Sequence, residues 1–323
     1  MKKFILSLLT IYLFIPISVF AYSDYLIASG QNIGVELKSD YVLIVGSYKI
    51  KGYNVLTDTD LKIGDKITKI NDETVNSVLS LQEVINKQNK DIVNVTYKRG
   101  NKTYQEEIKL YKEDDEYKTG LYVRDMIRGV ATLTYIDAEN KTFGALGHEI
   151  IEKTTKSKFD STNGTIFSSI VTSITKSNNG DPGEKNARSD SSNIYGEVDE
   201  NTESGIFGTY TKSLPNQKLY KVASPNEIKQ GSAKILTVIK GNTVEEFDIN
   251  IIRINENSNS KNILFEVTDE YLLEKTGGIV QGMSGSPIIQ GDNIIGAVNF
   301  VLVDSPDKGY GIFITNMLEE AEN

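Results

Sequence analysis

From residue 118 onward the chain is a succession of short β-prone segments with hardly a helix outside its last few residues, and this rhythm leaves few folds open. The segments run Gly129 to Tyr135, Thr165 to Ile174, Gly205 to Thr211, Lys234 to Lys240, Phe247 to Ile254, Asn262 to Val267, Ile294 to Val303 and Gly309 to Thr315, punctuated by Gly, Asn and Ser. Short, regularly spaced strands bury their apolar faces by closing on one another, so the expectation is a β-barrel or a pair of barrels. Asn178 to Asn193 breaks the rhythm. It is polar, bears Gly and Ser and one proline, and reads as a long surface loop.

Residues 24–113 have a different character, that of a small α+β module. Ile33 to Leu37 and Tyr41 to Val45 are strand-like, and Asn76 to Lys90 places Val78, Leu81, Val84 and Ile85 on one helical stripe. Val93 to Tyr97 and Tyr104 to Leu110 flank Gly100-Asn101, a hairpin signal. Within it, Gly64-Asp65-Lys66-Ile67-Thr68-Lys69-Ile70-Asn71 resembles the Gly-Asp box of a PDZ domain of the bacterial strand order, although the Ala-Gly-Leu that usually precedes the box is missing. A PDZ domain captures an extended peptide as an added strand, its backbone N–H groups receiving a terminal carboxylate. The resemblance implies a peptide-binding strand at Ile33, Gly34 and Val35, with the carboxylate cradle in the preceding loop; the competing reading is a packing module that binds nothing. Asp114-Asp115-Glu116 is a solvated connector closing the module, which leaves 114–323 as the second domain.

Lys2-Lys3 precedes Phe4 to Phe20, apolar apart from Ser7, Thr10 and Ser18, and Val19-Phe20-Ala21 has small residues where a signal peptidase reads. Residues 1–23 are therefore expected to be a signal peptide or a membrane anchor, with the remainder exported. A net charge of −9 argues against nucleic acid as a partner. With no cysteine, disulfide and thiol chemistry are excluded; with a single histidine, so are His-rich metal centres, and no cofactor or metal is expected.

That histidine, His148, lies in Gly144-Ala145-Leu146-Gly147-His148-Glu149, and downstream comes Gly282-Met283-Ser284-Gly285-Ser286-Pro287. The second run fits the G-x-S-G-x-P frame of chymotrypsin-like serine proteases. A hydroxyl needs a neighbouring base to act as a nucleophile, and this chain has one imidazole to offer. The catalytic candidates are thus Ser284 and His148, with the backbone N–H groups of Gly282 and Ser284 as the oxyanion hole. Ser286, on the proline side of the frame, is the rival nucleophile. Met283 replaces the acid that digestive proteases pair with a newly cut N-terminus.

Gly120 to Asp125, Gly144 to His148 and Thr276 to Ile288, in this order behind a PDZ-like module, resemble the SpoIVB peptidase family, the stage IV sporulation protein B peptidases of spore-forming bacteria. The resemblance spans nearly the whole chain. It implies a mainly β protein: a chymotrypsin-like double β-barrel serine peptidase domain preceded by an α+β PDZ domain and an N-terminal apolar segment. It also implies an exported endopeptidase of the space between forespore and mother-cell membranes, which cuts itself and a membrane-bound regulator and so leads to sigma-factor activation. Its partners would be that protein substrate and a self-peptide in the PDZ groove. For the third triad member the resemblance points to Asp269, 15 residues before Ser284. Asp190, Asp199 and Asp137 are alternatives, and Asp269 can equally cap a helix over Glu270 to Lys275. Two other functions stay open: a catalytically silent PDZ adaptor, and a cell-envelope quality-control protease, whose PDZ domain normally follows the peptidase.

Overall fold

The computed structural model describes residues 22–88 and 90–322. The expected signal peptide or anchor, residues 1–23, lies outside them apart from Tyr22 and Ser23. In chain order the strands that carry the architecture are β1 (Tyr25–Ala28), β2 (Asn32–Ser47), β3 (Lys66–Ile70), β4 (Ile92–Arg99), β5 (Lys102–Lys109), β6 (Leu121–Asp137), β7 (Thr142–Ala145), β8 (Asn163–Thr175) and β9 (Glu184–Thr202). They continue with β10 (Gly205–Tyr210), β11 (Leu219–Val222), β12 (Gly231–Thr237), β13 (Glu245–Ile254), β14 (Ile263–Val267), β15 (Pro287–Gln290), β16 (Asn293–Leu302) and β17 (Ser305–Phe313). The longer helices are α1 (Val78–Gln88), α2 (Glu270–Thr276) and α3 (Ile314–Glu320).

The pairings form two closed rings. Among the described residues, β6-β2-β8-β9-β10-β7 returns to β6, every neighbour antiparallel. The second ring, β12-β13-β14-β17-β16-β15, closes on β12 in the same way. Closure removes free sheet edges, and alternate side chains of each strand fill the interior. The first barrel buries Ile33, Leu37, Leu133, Phe143, Phe159 and Ile166; the second buries Ile235, Phe247, Ile263, Phe265, Met283 and Ile288. Between them lies a third apolar layer with Leu26, Tyr135, Phe207, Leu236, Ile312 and Met317. β1 stitches the barrels together, pairing with β6 of the first and with β11, which runs parallel to β16 of the second. This is the expected chymotrypsin-like double barrel.

A smaller α+β unit projects from the first barrel. Its sheet runs β5-β4-β3-β2-β6, with α1 packed over a core that includes Val42, Ile44, Ile67, Leu81, Ile85, Val95 and Leu121. The Gly-Asp box has a local reason. Gly64 adopts φ +95°, a conformation that costs L-residues a Cβ clash. Asp65, almost fully buried, accepts two hydrogen bonds from Arg99 (2.7 and 2.6 Å) and one from the Lys62 amide (2.8 Å). A buried carboxylate needs such partners.

Three expectations are corrected here. First, the module does not begin at residue 24. β1 and the first half of β2, through Lys38, belong to the peptidase barrels, and β2 leaves the barrel and enters the smaller sheet across an irregularity between Lys38 and Leu43. The smaller unit is therefore inserted into a barrel hairpin, and it returns along β6. Second, Ile33, Gly34 and Val35 cannot receive a peptide strand: they pair with Ser168, Phe167 and Ile166 on one side and with Ala131, Val130 and Gly129 on the other. Their backbone groups already serve the barrel. Third, Asn178 to Asn193 is no long loop; a tight turn at Asn178–Asp181 leads into β9, which pairs with β8 from Glu184 onward. Apart from buried Lys185, its polar side chains are exposed or half-exposed on a two-stranded ribbon, a pattern that resembles a loop in sequence.

The insertion makes a sharp prediction. Ser39 Oγ donates to the Asp125 carbonyl at 3.1 Å, and Lys38 pairs with Met126. Replacing residues 40–124 by Asn-Gly should therefore close a two-residue hairpin and leave folded barrels, whereas deleting 24–113 removes β1 and β2 and should leave no cooperative thermal transition. Circular dichroism melts of the two variants test it.

Candidate active site

The site lies where the two barrels meet. Strand β7 ends at Ala145, and the chain turns through Leu146 and Gly147, both at φ +75°, to present His148. Leucine in the left-handed region is strained by about 1–2 kcal/mol, held by the Leu146 amide donating to the Thr132 carbonyl at 3.2 Å. From the second barrel comes the loop Gly282–Ser286, ahead of β15. Gly282 and Gly285 sit at φ +93° and +92°. The loop is tied to both barrels: the Thr132 amide of β6 donates to the Ser284 carbonyl (3.1 Å), and the Gly285 amide donates to the Val298 carbonyl of β16 (2.7 Å). Met283 is fully buried in the second barrel's core, a packing role for the residue that replaces the acid.

His148 and Ser284 both line one cavity of about 550 Å³, with Ile279, Val280, Phe300 and Val301 among its apolar walls. The imidazole stacks on Phe300, ring centroids 5.7 Å apart at 16°. Its Nδ1 lies 2.9 Å from the Glu149 carbonyl oxygen. A carbonyl can only accept, so Nδ1 carries the proton and Nε2 is left with a free lone pair, the tautomer a general base requires. Desolvation holds the His148 pKa below the usual 6.5, the Glu149 carbonyl acting in the opposite direction. Ser284 Oγ donates to the Asn299 carbonyl at 3.2 Å. Among the described residues, the amides of Gly282 and Ser284 have no acceptor. Ser286 is fully buried and donates to Thr237 Oγ1 at 2.9 Å, out of reach of a substrate.

Glu149 and Glu203 line the cavity, but none of the four candidate aspartates does. Asp269 is the N-cap of α2, Oδ1 accepting from the Leu272 amide at 2.8 Å, and it does not line the cavity. Asp137 accepts from Ser23 and Asn140, exposed Asp190 from Ser192, and Asp199 from Thr209. So the structure sets His148 and Ser284 on one cavity, with Gly282 two residues before the serine, and leaves Asp269 outside it. Asp269→Asn discriminates the two roles, since Asn caps as well as Asp. The cap geometry predicts turnover within about threefold of wild type and an unchanged melting temperature. A steep loss of turnover at the same melting temperature would put Asp269 in the catalytic unit.

Three residues at the site had no signal in the sequence: Phe300, Thr132 and Lys185. Lys185 is 5% exposed, its Nζ within hydrogen-bond distance of Thr237 Oγ1 (2.9 Å) and Thr132 Oγ1 (3.3 Å), and burial pulls its pKa down to about 7. An inward-facing lysine on a polar ribbon looks like any solvated one until the neighbouring strands are in place.

Comparison with known proteins agrees with this architecture. The model of the SpoIVB peptidase S55 family matches residues 115–318, and that of the PDZ domain matches residues 32–110. Among solved structures, the PDZ domain of the SdrC-like protein Lmo2051 from Listeria monocytogenes is similar over 26% of this chain and 87% of its own, at 27% identity and a TM-score of 0.22. The Rv3671c protease of M. tuberculosis in its active form is similar over 62% of this chain and 74% of its own, at 14% identity and a TM-score of 0.34. No curated protein matches.

Proposed function

The chain belongs to the SpoIVB peptidase S55 family, a serine peptidase with a PDZ domain and protein or peptide substrates, and on that footing we propose that His148 and Ser284 are its catalytic pair. The observation that carries the reading is the shared cavity between the barrels, in which the histidine's Nδ1 proton is already committed to the Glu149 carbonyl. Ser284 Oγ attacks the scissile carbonyl while its proton passes to His148 Nε2. The amides of Gly282 and Ser284 receive the oxyanion, and His148 returns the proton to the leaving amine. Water then repeats the sequence on the acyl-enzyme. In the ground state the Glu149 carbonyl stands where a triad carboxylate would orient the ring.

A fluorophosphonate probe on the full chain tests this. Ser284 should be the labelled residue, located by mass spectrometry, and Ser284→Ala should take no label; absence of label on the wild-type protein would favour the silent adaptor. Because His148 must be neutral to act and its pKa is depressed, the acid limb that reports it lies below pH 6.5. Labelling that stays flat down to pH 4.5 would mean another base is at work.

The biological setting we propose rests on the family: an exported endopeptidase acting between forespore and mother-cell membranes, cutting itself and a membrane-bound regulator so that a sigma factor is activated. The N-terminal apolar run supports export, by signal peptide or anchor. The sheet's outer strands are β5 and β6, and for peptide capture by the PDZ unit the edge we assign is the one on β6, beside α1. Along Tyr122 to Ile127 its side away from β2 carries no ladder among the described strands, and Asp125 there accepts from the Val78 amide at the start of α1.

A further inference from the structure

Lysine 185 has no part in the catalytic sequence above, yet it touches the nucleophile loop in three ways. Its backbone amide donates to the Gln281 carbonyl at 2.9 Å. That bond fixes the plane of the Gln281–Gly282 peptide, whose N–H is the first oxyanion donor. Its aliphatic stem covers Gly282: a Cβ added there would meet Lys185 Cβ, Cδ and Cγ at 3.2–3.3 Å. Its Nζ, finally, reaches both ends of the loop through hydroxyls. Thr132 Oγ1 donates to the Gly282 carbonyl at 2.8 Å, and Ser286 Oγ donates to Thr237 Oγ1 at 2.9 Å; the amine bonds to both threonines.

We propose that Lys185 is a positioning residue of the peptidase centre, holding the oxyanion loop from Gly282 to Ser286 in its donor-inward shape by bracketing both ends from one buried amine. The inference rests on the reading of Ser284 and Gly282 given above. Counting protons shows which form of the amine does this. Thr132 commits its hydrogen to the Gly282 carbonyl, so it must accept from Lys185. If Lys185 is neutral, its lone pair accepts the hydrogen of Thr237, which itself accepts from Ser286. The result is one unbroken chain, Ser286 to Thr237 to Lys185 to Thr132 to Gly282, with every hydroxyl satisfied. An ammonium group cannot accept: like the neutral amine it leaves one N–H without a partner, but it also strips the Thr237 hydrogen of its acceptor in a buried site. The groups facing Nζ are Thr132 from β6 and Thr237 from β12, with Ser286 of the loop one bond beyond; Glu184, next to it in sequence, is exposed, and desolvation is what lowers the Lys185 pKa to about 7. The loop is thus held best above neutrality.

Lys185→Met keeps the stem and removes the amine. The expected result on the full chain is a folded protein whose kcat and fluorophosphonate labelling rate fall about 10²-fold, the scale of a misplaced oxyanion donor, while KM changes less than about threefold. The wild-type pH profile should have a limb near 7 that the variant lacks, above the limb of His148. Thr132→Val cuts the same chain one link further on and should reproduce the kcat loss, which decides the matter if Lys185→Met does not fold. A purely structural lysine would lower the melting temperature and leave turnover per folded molecule unchanged. A folded variant with kcat within threefold and the limb near 7 intact would overturn the proposal. Failure of the wild-type protein to label at Ser284 would overturn the peptidase assignment instead, so the two are told apart.

Discussion

Ser284→Ala and His148→Ala should each lower kcat for peptide cleavage by about 10⁶-fold, and the double variant should be scarcely slower than either. The reason is that the two side chains act on one proton. Without the serine there is no acyl-enzyme; without the histidine the hydroxyl keeps its hydrogen bond to the Asn299 carbonyl and stays a poor nucleophile. Residual cleavage over water then comes from the Gly282 and Ser284 amides and from binding in the cavity. Ser286→Ala should still take the fluorophosphonate at Ser284, because the Ser286 hydroxyl faces Thr237 inside the barrel contact. A double variant much slower than either single variant, or label transferred to Ser286, would contradict a common catalytic unit.

Gly285→Ala is expected to be the single-methyl change that most directly disables the site. A Cβ at this position would lie 2.2 Å from the Thr132 carbonyl oxygen and 2.5 Å from the Leu146 amide nitrogen, at a φ of +92°. Both atoms are backbone, on the two segments that support His148, and neither can swing aside as a side chain could. Left-handed strain of about 1–2 kcal/mol and overpacking of about 1–3 kcal/mol together forecast a loss near 3 kcal/mol. The loop must also retreat from the first barrel, so turnover of the folded fraction should drop by about 10²-fold or more. Thermal denaturation and active-site labelling measure the two effects separately. Gly291→Ala is the control: it also has positive φ, +63°, but nothing within 4 Å of its Cβ, so it should cost no more than the backbone strain and leave turnover alone.

The site was legible where its chemistry depends on adjacent residues. Gly282-Met283-Ser284-Gly285 encodes a turn that only glycine accepts at two positions, and a hydroxyl at its apex is a nucleophile signal whatever surrounds it. The lone histidine needed no partner to be picked out. Strand segments such as Phe247 to Ile254 and Ile294 to Val303 were readable for a similar reason, since alternation along one strand records which face is buried. Asp269 carried two readings that sequence could not separate. A carboxylate before Glu270-Tyr271-Leu272 caps a helix by local geometry, whereas orienting His148 would require knowing where a loop of the other barrel lies.

By itself, then, the sequence determined the local devices: strand rhythm, the Gly-Asp box, the strained glycine turns, and one imidazole with one serine in the G-x-S-G-x-P frame. The tertiary structure decided everything that depends on which strands become neighbours. It showed that residues 25–38 close the peptidase barrels rather than open the PDZ unit, that Ile33 to Val35 are enclosed on both sides, and that Lys185 is turned inward under the oxyanion loop. The physical reason is the same in each case. Backbone pairing and desolvation are set by groups more than a hundred residues apart, as Ile33 and Ser168 are, and no window along the chain contains both partners.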